Sequence, residues 1–150
     1  MVKLPPIEKV YEAYSAISGD RVKIGEDSAK VCSSNGAKEY TVTWKGNTYT
    51  SNDSATYWQG YAGYPVIAVL MLQNRLPLDR DIAGYFKGID WTDINSRYKG
   101  KYDKAVNEIM DGLQKKGADT EKISTEAANV FARIKELDME IRRGSLRPPK

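Results

Sequence analysis

Residues 21–51 read RVKIGEDSAKVCSSNGAKEYTVTWKGNTYTS. Two dipeptides in this stretch, Asn35–Gly36 and Gly46–Asn47, are two-residue hairpin turns that suit positive φ angles. With the first as a loop, Val31 faces Tyr40 and Ala29 faces Val42. With the second, Trp44 faces Tyr49 and Thr43 faces Thr50. A tight turn at Glu26–Asp27 sets Ile24 opposite Ala29 and Val22 opposite Val31. The three registers agree on one apolar face: Val22, Ile24, Ala29, Val31, Tyr40, Val42, Trp44 and Tyr49. A slip of one residue would turn that whole set toward water. The reading is a four-stranded antiparallel β-meander over 21–51, with strands at 21–25, 28–34, 37–45 and 48–51.

The other face of the same strands carries Arg21, Lys23, Lys30, Cys32, Glu39, Thr41, Thr43, Lys45, Thr48 and Thr50. It is mildly positive and rich in threonine, as the solvated side of an antiparallel sheet usually is. Cys32 is out of keeping with it, because free cysteines tend to be buried. Its place points to an element that covers part of this second face.

Outward from the meander, the chain turns helical on both sides. In the first segment, 1–18, Ile7, Val10, Tyr11, Tyr14 and Ile17 keep helical spacing after Pro5–Pro6, which predicts a helix over 6–18. Gly19 then stands where a left-handed cap is cheapest. Beyond an aromatic connection at 52–64, a helical layer is expected over 65–143. Pro65 opens a helix that is apolar on all sides, and Leu76–Pro77 ends it. Asp79 caps a short helix that turns Ile82, Tyr85 and Phe86 inward. A helix from Trp91 to Lys116 follows, with Gly100 placed to kink or interrupt it. Gly117 closes it, and Asp119–Thr120 opens a last helix to 143 on which Ile123, Ala127, Val130, Ile134, Leu137 and Ile141 align. These two helices are expected to form a long antiparallel hairpin. The fold class is α+β in a single domain, 1–150, with a basic, frayed tail at 144–150.

The composition excludes several kinds of chemistry. The chain has no histidine and one cysteine, which removes imidazole acid–base catalysis, histidine-activated nucleophiles and imidazole or thiolate zinc sites. No internal disulfide is possible, and the expected setting is cytoplasmic. The longest apolar run, Val66 to Leu72, is too short to cross a bilayer, so no membrane partner is expected. Gly60, Gly63 and Gly88 fit no phosphate-binding loop. Asp79–Arg80–Asp81 has the Asp-x-Asp form that can hold a divalent cation, but two acids at a helix start are what the helix dipole favours. No catalytic residue, metal site or cofactor is assigned.

Three functions remain. The first is a non-enzymatic binding or assembly protein that meets a protein partner or a second copy of itself through the apolar stripe of the final helices. The second is nucleic-acid binding by Arg21, Lys23, Lys30 and Lys45 on the sheet with Arg142, Arg143 and Arg147 of the tail. The net charge of +3 comes from this tail, since without Arg142, Arg143, Arg147 and Lys150 the chain carries one more acid than base. The third rests on TYWQGYAGYP at 56–65. Tyr57, Trp58, Tyr61 and Tyr64 either plug the junction between sheet and helices or line a cleft for a small ligand, as a carrier or a histidine-free enzyme. The first function is the leading expectation.

Overall fold

A computed structural model describes residues 3–150. The meander is present: β1 (Val22–Ile24), β2 (Ser28–Cys32), β3 (Glu39–Lys45) and β4 (Thr48–Ser51) pair in chain order. All three expected registers are found, with Val22 opposite Val31, Val31 opposite Tyr40, and Trp44 opposite Tyr49. The first loop is longer than the two residues expected. Ser33 N–H donates to the Lys38 carbonyl, Gly36 N–H donates to the Ser33 carbonyl, and the Ser33 hydroxyl accepts from Lys38 N–H. Of each turn pair only the glycine, Gly36 or Gly46, has a positive φ.

Helix α1 (Glu8–Ser18) precedes the sheet, and α2 (Ser54–Gln59), α3 (Tyr64–Leu72), α4 (Arg80–Gly84), α5 (Trp91–Arg97), α6 (Tyr102–Lys115) and α7 (Thr120–Glu136) follow it. α3 is the centre of the molecule, buried from Pro65 to Met71, as its all-round apolar sequence requires. It lies against β1, β3 and β4 on one side and α1 on the other, and α1 in turn carries α4, α6 and α7. Val31, Val42 and Tyr49 of the sheet are sealed under this layer. Asp79 caps α4 by accepting from Asp81 and Ile82 N–H, as its position predicts. Lys99 and Gly100, both left-handed, break the expected 91–116 helix into α5 and α6. No helix among the described residues is long and apolar enough to cross a membrane.

Four details differ from the sequence reading. Gly19 is not left-handed. Asp20 takes that conformation (φ 55°), and Arg21 N–H closes the turn on the Ala16 carbonyl. A Cβ at Gly19 would stand 3.1 Å from the Ser15 carbonyl oxygen, a tight contact that glycine avoids. Ile24 and Tyr85 are 44% and 46% exposed, outside the core that was expected to take them. The last helix stops at Glu136, because Leu137 turns to an extended conformation and Met139 is buried as the chain returns to the sheet. There Glu140–Ile141 form β5, parallel to β4, a fifth strand.

The basic end is held as well. Arg142 N–H donates to the Tyr49 carbonyl, and Asn52 Nδ2 donates to the Arg147 carbonyl. Gly144 passes so close to Thr50 that a Cβ would stand 3.3 Å from it. The tail is therefore a strap across the β4 edge rather than a frayed end. It is also the cover over the second face that Cys32 suggested, though it lies at Thr50.

Candidate functional site

The aromatic connection lies beside a cleft of about 380 Å³ bounded by α1, the β2–β3 loop, α2 and the start of α3, α5, and Tyr102 of α6. Its construction begins at Asp53. That carboxylate caps α2, accepting Thr56 N–H at 3.0 Å and the Ser51 hydroxyl. Gly60 ends α2 in the left-handed conformation (φ 77°) that lets the chain double back into α3. Thr56 then accepts Gly63 N–H at 2.9 Å, and a Cβ at Gly63 would run into the Asp53 carboxylate. Glycine is the residue that lets the two helix starts close on one buried acid.

This turn sorts the four rings. Tyr61 is buried and Tyr64 half-buried on the cleft wall, while Trp58 stands at the mouth, 59% exposed. Tyr57 does not line the cleft. It meets Trp58 edge-on at 4.8 Å, and the Arg143 guanidinium covers both rings while Arg143 Nε donates to the Tyr57 carbonyl at 3.0 Å. The stretch is thus plug and cleft wall together.

The charged groups were not legible in the sequence. Lys9 and Glu12, three residues apart on α1, form an ion pair at 3.1 Å with both side chains almost wholly buried. Lys9 Nζ also stands 4.2 Å from the centre of the Tyr102 ring. Burial pushes the Glu12 carboxyl above its ordinary range, and Lys9 offsets that only in part. Burial opposes the Lys9 charge too, but Glu12 and the Tyr102 phenol outweigh it and hold the ammonium above its usual pKa. Burial likewise raises Tyr40, Tyr61 and Tyr64, with the Arg21 guanidinium pulling Tyr64 the other way.

Two α5 residues of the wall each hold one sealed polar atom without a protein partner, Trp91 Nε1 and Asn95 Oδ1. Trp91 is 4% exposed. The wall therefore holds two internally matched acids and two bases with a set of phenols and indoles. Such a wall can seat a small polar molecule against flat rings.

The seven basic residues proposed for nucleic acid do not gather on one open face. Arg21 turns inward to the cleft, donating to the Cys32 carbonyl at 2.6 Å and the Ser15 hydroxyl at 3.3 Å. Lys23 and Lys45 are exposed on the sheet, and Lys30 Nζ donates to Thr41 Oγ1 at 2.7 Å. Arg142 pairs with Glu140 at 2.9 Å on the surface, Arg143 covers the two rings, and Arg147 is exposed while its carbonyl accepts from Asn52.

Residues 2–140, which include every residue of the cleft, match the family described as Uncharacterised conserved protein UCP014422, and the chain belongs to that family. No curated protein and no solved structure matches it. Membership indicates no function, so the functional reading rests on the site itself.

Proposed function

We propose that this protein is a small-ligand-binding protein and that its ligand, a compact polar molecule with a flat face, seats in the cleft beside Trp58, Tyr61 and Tyr64. The observation that carries the reading is an open cleft of about 380 Å³ with Tyr61 and Tyr64 on its wall and the Trp58 ring, 59% exposed, at its mouth. A concave site lined by aromatic rings with a few polar groups is what small molecules seat in.

The commitment of Lys9 to Glu12, and of Asp53 to Thr56 and Ser51, argues for binding without chemistry. A thermal-shift screen of small metabolites tests the reading. A bound ligand at a hundred times its Kd raises stability by about 2.7 kcal/mol, and Trp58→Ala should abolish that gain. A screen in which every shift survives Trp58→Ala would remove the cleft from consideration.

Self-association through the C-terminal helices is the second reading. An open groove between α1, α6 and α7, lined by Ile7, Tyr11, Val106 and Met110, favours it. The 17-residue α7 supports it less than the longer helix expected from the sequence. Light scattering over a wide concentration range decides it, a strict monomer ending the idea. Nucleic-acid binding draws its support from the exposed Lys23, Lys30, Lys45 and Arg147. It predicts affinity for oligonucleotides that falls steeply with salt.

A further inference from the structure

We infer that Arg143 is a positioning residue for the cleft: it holds the Trp58 ring in place at the mouth, so the docking of the C-terminal strap sets the wall against which a ligand rests. The inference rests on the ligand-binding reading above and names a control on that site.

Trp58 needs such a hold. It stands one residue before the end of the six-residue α2 and is 59% exposed. A ring so open turns among several rotamers unless a neighbour selects one. Its ring meets Tyr57 edge-on, with centroids 4.8 Å apart, and the Arg143 guanidinium lies 5.3 Å from its centre. Tyr57 belongs to the same short helix and shares its motion. Arg143 arrives from 86 residues beyond Tyr57 and ties the helix to the sheet.

The strap is built to present that side chain. Glu140 N–H donates to the Asn47 carbonyl and Arg142 N–H to the Tyr49 carbonyl, which carries the pairing with β4 past Ile141. Side chains alternate along such a segment, and Glu140 pairs with Arg142 on one side at 2.9 Å. Arg143 therefore turns to the other side, toward α2. There its Nε donates to the Tyr57 carbonyl at 3.0 Å, in the last turn of a helix, where carbonyls lack a partner within the helix and a cation is favoured. Beyond it, Gly144 passes close to Thr50, and the Arg147 carbonyl accepts from Asn52. The contact is thus pinned on both sides along the chain.

Trp58 lines the cleft and Arg143 does not. The guanidinium backs the indole from outside and leaves its cleft side open. By reciprocity, whatever steadies Trp58 also steadies the strap. A cation over an exposed ring shifts such a local equilibrium about two- to fivefold.

The test reads both ends of the contact in the full chain with nothing bound. In the wild type the Trp58 indole N–H should be ordered. Arg143→Ala should lose most of its heteronuclear NOE, while that of Trp91 is unchanged. At the other end, trypsin cuts after Arg143 only once the strap has lifted from β4. Trp58→Ala should speed that cut about two- to fivefold, with cleavage after the exposed Lys115 and Lys116 unchanged.

A Trp58 indole equally ordered with and without the Arg143 side chain overturns the inference. So does strap cleavage indifferent to Trp58→Ala, or a rise that appears equally at Lys115 and Lys116. Each of these leaves the cleft as a site, because the metabolite screen tests the ligand-binding reading separately.

Discussion

Tyr49 on the sheet and Trp91 on the cleft wall are both buried aromatic side chains with a polar handle, and the fold treats them differently. The Tyr49 hydroxyl donates to Gln73 Oε1 at 2.6 Å and accepts from Arg75 Nη1 at 2.9 Å, and that guanidinium also covers the ring. Trp91 Nε1 has nothing. Around Tyr49 the layers are closed by α3, the sheet and the strap. Around Trp91 a cavity adjoins α5. Tyr49 belongs to the closed interior, whereas Trp91 borders the cleft in which a ligand is proposed to seat.

The contrast can be broken at several points. Lys9→Met strands the buried Glu12 carboxyl and should cost about 3–5 kcal/mol by denaturant unfolding. Replacing Glu12 by Leu as well should restore most of that, and a neutral Lys9→Met would mean the pair is wet. Leu70→Ala, in the dry layer under the sheet, should cost about 2–5 kcal/mol without changing ligand affinity at the cleft.

Truncation after Ile141 removes the strap. Its hydrogen bonds and the Arg143 stack predict a loss of about 1–2 kcal/mol and a looser α2. A frayed tail would cost nothing.

Stability should also fall above pH 10. Tyr40, Tyr61 and Tyr64 ionise later in the folded protein than in the unfolded chain, so their contribution is complete below the unfolded value of 10.0 and is lost as pH rises past it. Tyr64→Phe should make that alkaline decline shallower, and an unchanged slope would contradict the burial assigned to Tyr64. Trp58→Ala, at an exposed ring, should move stability by less than about 0.5 kcal/mol while removing ligand binding.

How much of this could be read from the chain depends on how local each signal is. The meander was legible because strand alternation and the glycine turns each fix the register and agree. Capping by Asp79 and the break at Gly100 are local too. The end of α7 was not legible, since Leu137, Met139 and Ile141 suit a strand while Ile134, Leu137 and Ile141 suit a helix. The buried alternation at 137–141 follows the strand, because the β4 edge is there to receive it.

The site was visible only in part, through Trp58, Tyr61 and Tyr64. Lys9 and Glu12 look like an ordinary exposed pair on a helix, and their burial comes from α2, α3 and α6 arriving from elsewhere in the chain. Arg21 belongs by alternation on the outer face, yet it lies just before β1 and turns toward Ser15 of α1.

The three tryptophans allow the most direct test of the account. In a titration with whichever metabolite stabilises the protein, the indole N–H signals of Trp58 and Trp91 should shift while that of Trp44, held against Tyr49 on the sheet, stays in place. A shift at Trp44 with Trp58 and Trp91 unmoved would put the ligand elsewhere and contradict a site in the cleft.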